Sequence, residues 1–410
     1  MKHYFLNFLK KSDLSVNELF TSVILCSLTL PRIVNSLAIG LFFIYSLIVY
    51  FKNKDRKVLF TKTALLFIFL FVICAISLFW SVDLEASKEG ISRIVSLALI
   101  PISFLINYKK IRPSRIFYFF SYFIFLIAIL MLIKALNNYI QTNKDYHVFF
   151  YHDLSTTVND LHAIYFSIFV SFSIFFLLLK EKNKFDLIIT IFLIPFLFLL
   201  SSKTVIVISF VLWIYFFRKN FIFLQKGFIV VVSLLLLSSI FFKERIFKEV
   251  NNSNLIEIFQ KENFGWRYKW SGIGIRTLQI RTFYELLNED DFLLHGYGYN
   301  ASKEKIIEKH KSYKLYSGMV GIDFHNQFLQ IIAEVGLLGL LVIFLIFMLS
   351  VKKAVREKDL LFLCFSVLLI FVCITEIYLA RQRGLVFFVT VTLLFVYKNK
   401  HQNKIVKYNK

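Results

Sequence analysis

The sequence is poor in the residues that break helices and in those that cross-link small secreted domains. Among 410 residues it has 4 prolines, 13 glycines and 4 cysteines, and 26 acidic residues stand against 48 lysines and arginines. The cysteines lie inside apolar runs, at Cys26, Cys74, Cys364 and Cys373. Because the polar segments between these runs have no cysteine, neither a disulfide framework nor a metal-thiolate site is predicted.

Apolar and aromatic residues are in excess. The chain is 58% hydrophobic, has 51 phenylalanines and a mean hydropathy of +0.68, which excludes an ordinary soluble domain. A helix that crosses a bilayer needs about 20 mainly apolar residues. The sequence therefore predicts an all-α polytopic membrane protein. Its 12 predicted transmembrane helices lie near 16–31, 33–51, 60–80, 91–107, 114–136, 161–179, 185–201, 204–217, 227–242, 327–350, 359–379 and 384–397.

Lysines and arginines indicate the orientation of these spans, because they are retained on the cytoplasmic side. With 12 spans, the basic segments all fall on one side, at 52–57, 109–115, 180–184, 218–220, 352–358 and the tail after 397. Both termini are then cytoplasmic, and the first span is predicted to be retained. The net charge of +22 is spread over separate loops that face anionic lipid, so nucleic-acid binding is not predicted.

The spans divide the chain into three regions. Residues 1–242 hold spans one to nine, residues 243–326 form a long outward loop, and residues 327–410 hold spans ten to twelve with the basic tail. The loop is longer than the connections that join packed elements, so it is predicted to be functional or disordered. Its aromatic residues and the helical spacing over 275–287 favour a folded segment.

Ionisable residues within or beside membrane spans are energetically costly, so each is a candidate functional group. Here they gather at the outer ends of the spans, at His162, Lys203, His325, Glu334, Glu376, Arg381 and Arg383. Structural roles remain open for each. His325 could cap a helix, Lys203 could extend to the membrane surface, and Glu334 could bond a neighbouring helix.

Span ten places Gln327, Gln330 and Glu334 on one helical face, which could line a cavity. Gly336 and Gly339 fall on the opposite face, where close packing against another helix is expected.

Hydroxyl residues flank Lys203, which suits an anionic oxygen. Arg276 and Arg281 in the long loop could supply the forked donors that phosphate favours, or could be solvated surface charges. The glycines at 296 and 298 lack the lysine and context of a nucleotide-binding motif and favour a turn. His147, His152, His162 and Asp153 are too scattered to support a metal site.

Several stretches together resemble the O-antigen ligase and O-antigen polymerase superfamily. DFHNQFLQIIAEVGLLGLLVIFLIF (323–347) is similar to its His-Asn-x-x-Leu and Glu-x-Gly-x-x-Gly signature. The stretches that resemble other family elements follow in the same order, LFWSVDLEAS (78–87), LHAIYFSIF (161–169), SSKTVIVIS (201–209), IRTLQIRTFYELLNEDDFLLHGYGYN (275–300) and TEIYLARQRG (375–384). The sequence departs from the family at Lys203, where arginine is common, and at Ile280, where an aromatic residue commonly follows the loop arginine by four.

The resemblance implies glycosyl transfer at the outer face of a bacterial inner membrane, without metal, nucleotide or other cofactor. The donor would be an undecaprenyl-diphosphate-linked glycan, and the acceptor a hydroxyl of another glycan or of lipid A core. The implied catalytic residues are His325 as base, Arg276 and Glu376. The implied substrate-binding residues are Lys203, Arg281, His162, Asn326 and Glu334.

We expect inversion at the anomeric carbon, because the sequence shows no evident carboxylate nucleophile. The long loop is expected to close over the sugar as a lid. A transporter or flippase of the lipid-linked glycan is the alternative, although it would favour charges along the whole path and a symmetric architecture. A role as a scaffold subunit is a further alternative. Nothing in the sequence decides between ligase and polymerase.

Overall fold

The fold is known from a computed structural model, which describes residues 15–52, 58–108, 111–142, 145–180, 183–217 and 255–398. Within these ranges the regular structure is helical, and no β-strand occurs. The predicted ninth span, the basic segments 53–57 and 218–220, the loop residues 243–254 and the tail after 398 lie outside the described residues.

The helices of the first half follow the predicted spans closely. They are α1 (Val16–Cys26), α2 (Arg32–Lys52), α3 (Lys62–Ile76), α4 (Leu84–Ile94), α5 (Ser96–Ile106), α6 (Pro113–Thr142), α7 (Tyr151–Ser155), α8 (Ala163–Leu179), α9 (Lys184–Leu199) and α10 (Lys203–Phe217). Polar residues begin several of them by accepting free backbone N–H groups. Thr61 accepts from Ala64 N and Asp83 accepts from Ala86 N.

The second half contains α11 (Leu255–Gln260), α12 (Gly272–Glu289), α13 (Ser302–Ser312), α14 (Gln327–Arg356), α15 (Leu360–Thr375) and α16 (Gln382–Val396). The helix predicted over 275–287 is confirmed by α12. Five helical segments of the described chain are long and apolar enough to cross a membrane, namely Arg32–Lys52, Lys62–Trp80, Leu84–Ile106, Pro113–Gln141 and Gln327–Arg356. Shorter apolar helices occupy other predicted spans, and the count of 12 stays a prediction.

Helix α16 forms the centre of the helical bundle. Every residue from Gly384 to Phe395 is buried, as expected for a helix that is apolar on all sides. Its Phe387 ring contacts the rings of Phe120, Phe169, Phe172 and Phe365, with centroids 4.7–5.7 Å apart. The abundant phenylalanines thus fill the space between helices with edge-on and tilted ring pairs, which are favourable aromatic geometries.

Residues 255–326 fold into a small helical cap with two apolar clusters of its own. One cluster joins α12 to α13 and α14 through Phe283, Phe292, Ile306 and Phe324. The other packs α11 against α12 and includes Ile258, Leu278, Tyr313 and Met319. The described part of the predicted loop, residues 255–326, is therefore folded.

The exposed aromatics of the cap are fewer than the sequence suggested. Phe283, Tyr297 and Tyr299 are buried, whereas Trp266, Tyr284 and Tyr316 are exposed. Only the exposed rings have open faces on which a sugar could stack.

The cap joins α14 at an interruption of that helix. Gly336 has φ 72° and ψ −169°, a backbone conformation that is essentially restricted to glycine. The interruption leaves backbone N–H and carbonyl groups of α14 without helical partners. The cap segment 293–298 forms hydrogen bonds with them. Tyr297 N donates to Ala333 O at 2.8 Å, Gly298 N to Glu334 O at 2.9 Å, and Leu337 N to Leu293 O at 2.9 Å. We call these three bonds the backbone clamp.

The predicted role of Gly336 in packing another helix is wrong. A Cβ at Gly336 would lie 2.0 Å from the carbonyl oxygen of Leu294, so this glycine admits the cap backbone rather than another helix. The nearest atoms to a Cβ at Gly339 belong to Val335 and Ile331 of the same helix. The close approach arises from the interruption, which helical periodicity does not reveal.

Candidate active site

His325 lies where the cap chain enters α14. Asn326 is the N-cap residue, and its Oδ1 accepts from Phe328 N at 2.9 Å and Leu329 N at 3.2 Å. His325 has φ 47°, and its N–H donates to Asp323 Oδ1 at 3.1 Å. The two flanking side chains therefore fix an uncommon backbone conformation that presents a partly exposed imidazole.

The imidazole meets two groups that are distant in sequence. His325 Nδ1 lies 3.4 Å from Glu376 Oε2, and Arg276 Nη2 donates to Glu376 Oε1 at 2.8 Å. Arg276 is held further by bonds to backbone oxygens, with Nε donating to Thr375 O and Nη1 to Gly272 O. Glu376 lies just after α15, Arg276 on α12 and His325 before α14. We call these three residues the His-Glu-Arg cluster.

The contact fixes the role of each ring nitrogen. An ionised carboxylate only accepts hydrogen bonds, so Nδ1 of His325 carries the proton that faces Glu376. Nε2 is then the basic nitrogen and has no hydrogen-bond partner within the described chain. A histidine oriented by a carboxylate in this way can take a proton from a hydroxyl.

Lys203 begins α10 beside the cluster. Its neighbour Thr204 accepts at Oγ1 from Thr375 Oγ1 at 3.2 Å, and Thr375 directly precedes Glu376 in the chain. Helices α10 and α15 pack together along their lengths. The structure thus brings the start of α10, and Lys203 with it, to the end of the helix that carries Glu376.

His162 caps α8 on another side of the same region. Its Nδ1 accepts from Ile164 N, and its ring centroid lies 3.9 Å from that of His152. Burial and then His152 lower the pKa of His162 to about 4, Glu376 acts to raise it, and Arg381 and His325 lower it further. The ring is therefore neutral at physiological pH, and its pKa depends on the charges of Glu376, Arg381 and His325.

The electrostatics of His325 differ from those of His162. Burial acts to lower the pKa of His325, but the hydrogen bond to Glu376 and the charges of Asp323 and Glu376 outweigh it and raise that pKa above its usual value. Arg276 opposes this rise. Glu376 therefore stabilises the imidazolium that a proton transfer would create.

Residues 187–344 match the family model described as O-antigen ligase. The resemblance to the O-antigen ligase and polymerase superfamily is confirmed. The match supports a function of the ligase or polymerase type and an integral membrane protein. No curated protein matches the chain. The matched segment includes Lys203, Arg276 and His325, while His162 and Glu376 lie outside it.

Two of the predicted substrate-binding residues lie away from the cluster. Arg281 is 8% exposed, and it donates to Glu285 Oε1 at 2.6 Å and to the backbone oxygens of Ile258 and Lys261. Its guanidinium also lies over the Tyr313 ring, 4.6 Å from the centroid. These contacts join α12 to α11 and to Tyr313 within the cap.

Glu334 is buried about two turns after the start of α14. Gln330 Nε2 donates to Glu334 Oε1 at 2.7 Å, and Gln330 Oε1 accepts weakly from Phe324 N at 3.5 Å. Glu334 therefore connects to the backbone beside His325 through Gln330. Gln327 turns to another partner and accepts from Leu379 N at 2.7 Å. Of the face predicted to line a cavity, Gln327 borders a small internal cavity, whereas Gln330 and Glu334 contact each other.

Sequence reasoning assigned no role to Asp323 and Thr375. Asp323 accepts a hydrogen bond from His325 N–H and raises the pKa of His325. Its position two residues before the histidine could have indicated this role. Thr375 joins α15 to α10, which only the packing reveals. Among the residues that the structure describes, no group of three or more His, Cys, Asp or Glu side chains could hold a metal ion.

Proposed function

We propose that this protein transfers glycan from an undecaprenyl-diphosphate-linked donor to a sugar hydroxyl at the outer face of the inner membrane. The observation that carries the proposal is the His-Glu-Arg cluster, in which residues 51 and 100 positions apart in sequence meet. The O-antigen ligase match supports the reaction class.

In this mechanism Nε2 of His325 takes the proton of the acceptor hydroxyl as its oxygen attacks the anomeric carbon of the donor sugar. Glu376 accepts from Nδ1 and stabilises the imidazolium. The bond between the anomeric carbon and the diphosphate oxygen breaks, and undecaprenyl diphosphate leaves. Since one displacement occurs, the configuration at that carbon inverts.

Arg276 and Lys203 place positive charge near the leaving diphosphate. Arg276 has a second role, because its bond to Glu376 holds the carboxylate beside the imidazole. Positive groups fixed before the reaction stabilise the charge that develops on the leaving group. His162 is neutral, and because its Nδ1 accepts from Ile164 N, its Nε2–H can donate a hydrogen bond to substrate. Asn326 caps the N-terminus of α14. The exposed cap aromatics can stack on the glycan.

The proposal is tested by a gel of surface glycans stained for sugar. Cells without the protein are compared with cells complemented by wild type, His325→Gln or the control His147→Gln, which makes the same change at an exposed histidine outside the cluster, at equal membrane levels. We expect His325→Gln to fail where the control succeeds. A single repeat left on the lipid anchor indicates a polymerase, and long chains stranded on undecaprenyl diphosphate indicate a ligase. Wild-type glycan in the His325→Gln strain would contradict the proposal.

A further inference from the structure

The arginines near the His-Glu-Arg cluster differ in how far the protein itself occupies their donors. Arg276 uses Nε, Nη1 and Nη2 on Thr375, Gly272 and Glu376. Arg383 donates from Nη1 to Asp160 O and from Nη2 to the backbone oxygens of Asn159 and Leu30. Most donors of both guanidinium groups are thus occupied by protein atoms, and the one exception, Nε of Arg383, is buried.

Arg381 is exposed, and its side chain makes no hydrogen bond or ion pair with the part of the chain that the structure describes. Its backbone is nevertheless well anchored. Arg381 O accepts from Leu385 N at 3.1 Å at the start of α16. Next to it, Gln382 Nε2 donates to Ser36 Oγ at 2.9 Å. Just before it, the Tyr378 ring stacks on Tyr165 with centroids 5.1 Å apart. A fixed backbone therefore presents an unpartnered guanidinium.

Arg381 belongs to the same region as the cluster. The short helical turn Tyr378–Ala380 is all that separates it from Ile377 and Glu376. It acts electrostatically on His162, which also senses Glu376 and His325. Glu376 is neutralised by Arg276 at 2.8 Å, so the carboxylate nearest in sequence does not occupy Arg381.

We propose that Arg381 binds the diphosphate of the lipid-linked donor. This inference rests on the proposed function and assigns a residue to its leaving group. A planar guanidinium with free donors can form two parallel bonds to phosphate oxygens. The guanidinium groups of Arg276 and Arg383 would first have to break their hydrogen bonds to the protein. Arg381 thereby supplies the forked contact, while Lys203 supplies charge alone. A carboxylate or phosphate on the glycan has the same chemistry and is the competing source of the anion.

The test measures binding to the full chain in lipid nanodiscs. The probes are undecaprenyl diphosphate and undecaprenol, neither of which carries a sugar. The variants are Arg381→Gln, Arg381→Lys and the control Arg93→Gln, which removes the same charge from α4, where Arg93 pairs with Glu89. We expect Arg381→Gln to weaken binding of the diphosphate roughly 10- to 100-fold, as for loss of hydrogen bonds to a charged group. Arg381→Lys should lose less, and undecaprenol should bind all proteins alike.

The outcomes separate this inference from the proposed function. Equal affinity of wild type and Arg381→Gln for undecaprenyl diphosphate would overturn it, and so would an equal loss for undecaprenol, which would indicate altered packing. If only transfer of an acidic glycan suffers, the anion is on the sugar and the inference fails while the proposed function stands. If Arg381 governs diphosphate binding but wild type transfers no glycan, the inference survives and the proposed function fails. No binding of the diphosphate to wild type would overturn both.

Discussion

Gly336→Ala should destabilise the protein strongly, because it places a Cβ where the cap backbone passes. The new carbon would lie 2.0 Å from Leu294 O at a residue with φ 72°. Holding alanine in this conformation costs about 1–3 kcal/mol. Moving the cap away breaks the three bonds of the backbone clamp, each with a net contribution of about 0.5–1.5 kcal/mol. The total is about 3–7 kcal/mol.

The chain offers a matched control for this substitution. Gly40 lies within α2, and a Cβ added there would meet nothing within 4 Å. Alanine is favoured over glycine in a helix by about 0.8–1 kcal/mol. Gly40→Ala should therefore be neutral or slightly stabilising, although it makes the same chemical change.

The assay is thermal unfolding of the purified protein in detergent, followed by tryptophan fluorescence. We expect the midpoint of Gly336→Ala to fall by roughly 3–10 °C, while that of Gly40→Ala stays at or above the wild-type value. A Gly336→Ala midpoint equal to wild type would refute the reasoning, because it would mean that neither the strain nor the clamp contributes to stability.

Further predictions concern the titratable and charged residues. His325→Gln should lower the transfer rate about 10²–10⁴-fold at unchanged membrane levels; near-normal rates in a purified assay would exclude its role as base. Glu376→Gln should move the acidic limb of kcat/KM to lower pH, because the carboxylate raises the pKa of His325; an unmoved limb would count against the pairing. Arg281→Gln should lower the thermal midpoint, because it removes a buried guanidinium that pairs with the partly exposed Glu285, whereas Arg276→Gln should reduce activity more than stability; the opposite result would mean that the two arginines have each other's roles. Burial lowers the pKa of His310 to about 4, so its contribution to stability is complete above the unfolded value of about 6.5 and is lost as pH falls toward 4. His310→Gln should remove that part of the pH dependence of the thermal midpoint, and an unchanged acid profile would show that His310 does not titrate in this way.

The positions of the helices were largely predictable, because a bilayer forces apolar residues into long uninterrupted runs. Helices occupy each predicted span that the structure describes. The interruption of α14 was not predictable in the same way. Hydropathy does not distinguish Gly336, which interrupts the helix, from Gly339, which continues it. What differs is the cap segment packed on Gly336, and that segment is about 40 residues away in sequence.

The candidate site was predictable in its residue types but not in its pairings. His325 and Glu376 attract notice because charged groups beside spans are costly. Arg276 and Arg281 were equivalent by sequence, since both lie on one amphipathic helix. The structure places Arg276 beside Glu376 and turns Arg281 toward Glu285 and the cap interior. Two side chains that are five positions apart on a helix point in different directions, and only the tertiary packing decides which of them faces the site.

The backbone clamp also bears on how α14 can be accommodated in a membrane. Within hydrocarbon an unpaired carbonyl or N–H group is unfavourable by several kcal/mol. The interruption at Gly336 would leave the carbonyls of Ala333 and Glu334 unpaired if α14 entered the membrane alone. Their partners, Tyr297 and Gly298, precede α14 in the sequence and are therefore synthesised first. Stable insertion of α14 in a membrane therefore depends on the cap segment 293–298, which pairs with these backbone groups.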